Sequence, residues 1–155
     1  MNRQRRTLLK TSGAASALAV ATAAGLVSTS ALAAEWNKAA FESKSPADVL
    51  KNIGVATAAS SKDIVINAPD IAENGAVVPV EITSNIAGTQ SITILVEKNL
   101  LSLAASFDVA NGGEPYVSVR LRMGASSNIT AVVKAGGKSY TASREVKVTI
   151  GGCGG

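Results

Sequence analysis

Histidine is absent from the 155-residue chain, and cysteine occurs once. Ser-His-Asp and Cys-His catalysis need imidazole, and zinc or copper sites need imidazoles or several thiolates, so nearly all such chemistry is excluded. Dinucleotide and phosphate loops are missing as well. Gly112-Gly113 and Gly136-Gly137 stand between strand-like runs and do not open a helix. No carboxylates pair at fixed spacing on one face. Glu81, Glu97 and Glu114 read as solvated strand and turn residues, Asp70 and Glu73 as turn formers. Arg120 and Arg122 alternate on the polar face of one strand and read as exposed charges in preference to an anion-binding patch. The chain carries no cofactor motif, no metal site and no constellation able to run a reaction alone.

What is present begins with an address. Arg5-Arg6-Thr7-Leu8-Leu9-Lys10 precedes an apolar run from Gly13 to Val27 and then Ala31-Leu32-Ala33. Arg5 and Arg6 mark a twin-arginine export signal with cleavage after Ala33, a general secretory signal being the alternative; both routes lead out of the cytoplasm, and the periplasm is expected. The apolar run is shorter than the roughly 20 residues that cross a bilayer, so no membrane span is expected. Residues 1–33 hold Arg3, Arg5, Arg6 and Lys10 and no acid. Taking these four from the 15 basic residues leaves 11, against 11 acids, in a mature chain of 155 − 33 = 122 residues. The pI near 9.4 therefore belongs to the precursor. Neither nucleic acid nor an acidic membrane is implied as a partner, whereas a neutral surface permits association with a protein.

Residues 34–62 read as a helical segment and linker. Ser45-Pro46-Ala47-Asp48 supplies an N-cap, a first-position proline and a first-turn acid, and Gly54 ends the helix. Trp36 and Phe41 are expected to dock this segment, and 55–61 to be a linker of low order. From residue 63 to 150 the apolar period becomes two. Val78, Val80 and Ile82, then Ile92, Ile94 and Val96, then Val117, Val119, Leu121 and Met123, then Val146, Val148 and Ile150 alternate with mostly polar neighbours. Asn74-Gly75, Ala87-Gly88, Asn111-Gly112-Gly113, Gly124 to Asn128 and Gly136-Gly137 separate the runs, the last as a two-residue hairpin between AVVKA and KSYTA. With Ile64 to Asn67 and Leu101 to Phe107 as weaker strands, about seven strands with no intervening helix predict an all-β, immunoglobulin-like antiparallel sandwich.

The chain closes on VKVTIGGCGG. Cys153 has no second cysteine for an internal disulfide and no side chain within two residues to pack against. An unpaired thiol in an oxidising compartment is a hazard, so its reactivity is its plausible purpose. That reactivity is not catalytic. The nearest cation in sequence, Lys147, lies roughly 20 Å away along an extended chain, beyond a Debye length of about 8 Å. A thiol at its reference pKa of about 8.5 is only a few per cent thiolate at neutral pH. Such a group reads as a substrate for other enzymes. Gly151, Gly152, Gly154 and Gly155 make residues 151–155 a thin, mobile carrier arm able to enter a narrow cleft.

AVVKAGGK, EVKVTIGGCGG, APDIAENGAVVPV and EPYVSVRLRM together resemble the SoxY family, the sulfur-carrier subunit of the periplasmic thiosulfate-oxidising system. The family usually follows Glu97-Lys98-Asn99 with a proline-containing turn, where this chain has Leu100-Leu101-Ser102-Leu103. The resemblance implies that Cys153 is the covalent attachment point for inorganic sulfur species. It also implies a heterodimer with SoxZ and transient docking to SoxAX, SoxB and, where present, SoxCD. Two rival readings stand beside it: an immunoglobulin-like binding module dimerised through a Cys153 disulfide, and a ubiquitin-like carrier activated at its terminal glycine.

Overall fold

The computed structural model describes residues 36–110 and 112–149. The export signal, Arg5 and Arg6 lie outside them, as do Ile150 and the segment 151–155. Two short helices come first, α1 (Lys38–Phe41) and α2 (Pro46–Asn52), followed by nine strands. These are β1 (Ala59–Ser60), β2 (Ile64–Asn67), β3 (Ile71–Ala72), β4 (Val78–Ser84), β5 (Thr89–Val96), β6 (Leu103–Asp108), β7 (Tyr116–Leu121), β8 (Ser127–Ala135) and β9 (Lys138–Val148). One sheet runs β1-β9-β8-β5-β6, with β3 also pairing β9; the other is β2-β4-β7. The two form the expected immunoglobulin-like sandwich.

Period-two alternation sets the core. Val78, Val80, Ile82, Ile92, Ile94, Val96, Ile129, Ala131 and Val133 are buried between the sheets with Leu121, Met123 and Val146. The hairpin signal holds too: Gly136 and Gly137 take φ of 55° and 75°, and Ala135 pairs directly with Lys138. Positive φ at both turn residues is what a tight hairpin requires and what glycine supplies without strain.

Three expectations are corrected. Leu95, placed by alternation among wet residues, is buried at 2% exposure. It lies between Ile94 and Val96, and Val132 between Ala131 and Val133, so both point to the opposite face of the large sheet. There they join Ala40, Val49, Val55 and Leu103, with Phe41, Leu50 and Ile53 packed against them. The helices thus form a third layer, and central strands β5 and β8 are apolar on both faces where it covers them. Residues 55–61 are not a loose linker: Val55 is buried, and β1 pairs parallel with β9 at Tyr140 and Thr141. KSYTA and the following VKV form one continuous strand of eleven residues, and two-residue β1 and β3 bring the total to nine.

The helical segment otherwise follows its sequence signals. The Ser45 hydroxyl accepts from the Asp48 amide at 3.2 Å, Pro46 opens α2, and Gly54 turns the chain out at φ 74°. Phe41 packs on the sheet, whereas Trp36 is exposed. The layer is tied down by polar contacts: the Lys134 ammonium donates to the Ile53 carbonyl, and the buried Ser102 donates from its amide to Ser43 O and from its hydroxyl to Lys44 O, both at 3.0 Å.

Ile94→Ala removes a fully buried side chain from the sandwich centre, and should cost about 2–5 kcal/mol in urea unfolding. Leu95→Ala should cost a similar amount despite its place in the alternation, a loss that an exposed residue would not show.

Candidate functional site

Cys153, Gly151, Gly152, Gly154 and Gly155 lie outside the described residues, so the site is built from the base that carries them. That base is the end of β9. On one side the Ser126 hydroxyl accepts from the Val148 amide at 2.8 Å and donates to the Val148 carbonyl at 3.3 Å, while Ser127 pairs with Val146. On the other side β3 runs parallel to β9. Lys147 N donates to Asp70 O at 2.9 Å, Thr149 N to Ala72 O at 3.1 Å, and the Thr149 hydroxyl to Glu73 O at 3.1 Å. Val146 is sealed in the core. The chain is therefore held along both edges as far as Thr149.

The segments around this point are mutually pinned. Asn99, on the β5–β6 loop, donates from its amide to Arg122 O at 2.7 Å and accepts from the Gly124 amide at 3.0 Å. Lys98 N donates to the Ser127 hydroxyl, Met123 N to Gly75 O, and Glu97 accepts from the Asn128 side chain. The loop in which leucines follow Asn99 is thus ordered by side chains. Strand β6 starts at Leu103, two residues later than the apolar pattern from Leu101 predicts.

Other candidates take structural places. Asp70 is more than a turn former: its carboxylate receives the Arg144 guanidinium at 2.8 Å, while Arg144 also reaches Ile66 O at 3.4 Å. The pair is partly exposed and joins β9 to the segment leading into β3. Glu81 accepts from Asn67. Arg120 and Arg122 are both exposed, consistent with wet charges. Among the described residues no group of three or more acids, cysteines or histidines gathers as a metal cradle, and no helix is long and apolar enough to cross a membrane. Sequence reading missed Asn99, Ser126 and Arg144. The available signal was weak: polar residues, two in loops and Arg144 within β9, whose partners lie 22 to 74 positions away.

The family model for the sulfur oxidation protein SoxY matches residues 50–153, a span that reaches Cys153 itself. Among solved structures, the chain is similar to the sulfur carrier protein SoxY from Chlorobium limicola f thiosulfatophilum. Identity is 46% over 66% of this chain and 93% of that one, with a TM-score of 0.60. It is also similar to a chain from a study of T cell activation by the bacterial superantigen toxic shock syndrome toxin-1, at 16% identity over 55% of this chain and 98% of that one, TM-score 0.39. At such a score that likeness bears on neither fold nor function. No curated protein matches the chain.

Ser126→Ala deletes the hydroxyl that clamps Val148. The Val148 amide should then exchange with deuterium at least tenfold faster, with a global stability loss of about 1 kcal/mol; an unchanged exchange rate would show that β3 alone fixes the base.

Proposed function

The chain belongs to the SoxY family of sulfur oxidation proteins, and on that premise we propose that Cys153 is the atom on which it carries its cargo. Membership brings a sulfur-carrier role in sulfur oxidation and a place in the Sox system. The finer reading rests on one observation above all: the family match runs to residue 153, and that residue is the only cysteine in the chain. No other side chain here forms a persulfide-type bond.

In this reading the thiolate of Cys153 joins thiosulfate to give Cys–S–S–SO₃⁻, with two electrons passing to the SoxAX cytochrome. Hydrolysis by SoxB then adds water across the terminal S–S bond, releasing sulfate and two protons and leaving Cys–S–S⁻. SoxCD, where present, oxidises that remaining sulfur. The chain itself supplies no catalyst. Its part is to hold the intermediate covalently while successive enzymes act, with SoxZ as a stable partner and with Arg5 and Arg6 directing export to the periplasm. The four glycines around Cys153 suit passage into clefts, because no side chain obstructs the walls. Ordering such a segment costs entropy at each docking, which keeps each encounter weak and releases the carrier to the next enzyme.

Intact-mass analysis of protein from thiosulfate-grown cells should show reductant-labile sulfur adducts confined to Cys153. A symmetric disulfide dimer as the sole modified form would instead favour a dimeric binding module, and modification at Gly155 a ubiquitin-like carrier. Cys153→Ala should leave the unfolding midpoint unchanged and abolish thiosulfate-dependent oxygen uptake.

A further inference from the structure

Seven large apolar side chains stand exposed among the described residues: Trp36, Val65, Ile71, Val77, Leu100, Leu101 and Tyr116. Scattered singly, such residues need no explanation; a cluster does. Strand pairing places four of the seven at one end of the sandwich. Ile71 pairs with Lys147 on β3. Val77 immediately precedes Val78, which pairs with Leu121 at the end of β7. Leu100 and Leu101 follow Asn99 on the loop leaving β5, whose last residue Val96 pairs with Ile129 near the start of β8. All three segments border the point where β9 ends. With neighbouring strands about 4.8 Å apart, the loop leaving β5 emerges about 10 Å from β9, and β3 lies one spacing away on the other side.

The exposure of these residues is built in. Leu100 is 81% exposed, yet its loop is fixed by both polar atoms of Asn99, by Lys98 and by Ser102. A loop ordered at this many points holds its leucines out in water at a standing hydrophobic cost. Geometry identifies what relieves it. Cys153 is four residues beyond Thr149, so its Cα lies within about 14 Å of that residue. Any enzyme whose active site closes on the Cys153 sulfur is drawn by that short span against this end of the sandwich.

We propose that Ile71, Val77, Leu100 and Leu101 form an apolar collar on which the enzymes acting on Cys153 seat the rim of their active-site mouth. The inference rests on the carrier reading and adds a second recognition element to it. The arm supplies the reacting atom; the collar supplies a sequence-independent apolar contact that any enzyme with a matching rim shares. Desolvated anchors of this kind set residence time more than encounter rate.

The test uses extract from cells deleted for this chain, induced with thiosulfate and supplemented with the purified carrier together with any partner that copurifies. Thiosulfate oxidation is measured against carrier concentration. The double variant Leu100→Ser/Leu101→Ser should raise the half-saturating concentration about tenfold while leaving the saturated rate and the maleimide-labelling rate of Cys153 unchanged. Ile71→Ser/Val77→Ser, on different segments, should do the same and guards against a local folding defect. An unshifted half-saturation in both variants overturns the collar, as does loss of a copurifying subunit or second copy, which would make this surface a subunit interface. Cys153→Ala separates the two readings. If it is inactive at every concentration while the leucine variant is unshifted, only the collar fails; if it is active, the carrier reading itself fails.

Discussion

The structure depends on β9 being held along both of its edges. Strand β8 pairs with it from Lys138 to Val146, and β1 and β3 lie parallel against its other side. A terminal strand paired on one side only would fray, and the origin of everything beyond it would wander. Here the last described residue, Thr149, is bonded through both its amide and its hydroxyl. A short chain attached to a fixed point samples a small, defined volume, which raises the effective concentration of its end at any surface seated nearby. A rigid base suits a carrier, because it fixes the point from which the chain beyond Thr149 starts.

The same division explains why so little polar chemistry appears in the body of the protein. On the proposed reading, a carrier presented to several enzymes gains nothing from an activated nucleophile, since activation belongs to the partner. The sandwich accordingly devotes its buried polar groups to architecture. Ser102 and Ser43 tie the helical layer, Ser127 the β5–β6 loop, and the Thr93–Ser106 hydroxyl pair joins β5 to β6. Arg144 and Asp70 add a partly exposed link across the seam, worth little energy but specific in direction.

Much of the fold was legible because burial on one face imprints a period. Ile82 and Ile92 could be read as core from their polar neighbours alone, and Gly136-Gly137 as a hairpin because few other pairs tolerate positive φ twice. Leu95 and Val132 were illegible for the complementary reason: a residue under a third layer breaks the alternation, and nothing local says what covers it. Strands β1 and β3 escaped detection because two residues cannot express a period and their pairing is through the backbone. Cys153 stood out from chemistry as a candidate attachment point, a lone thiol without a staple, whereas the proposed collar did not. Ile71, Val77 and Leu100 lie on three separate segments that only the strand pairings bring together.

The Gly136–Gly137 turn sits at the far end of the molecule from Thr149, separated by the whole of β9, about 36 Å at 3.3 Å per residue. Yet it decides which way that distant terminus points. Inserting a single residue there would slide the eleven that follow by one step and invert them, turning Val146 to water and swinging Arg144 away from Asp70. The muzzle is aimed by a hinge pin at the opposite end of the barrel, so the tolerance for insertion at this innocuous-looking surface turn is set by what happens at the other pole.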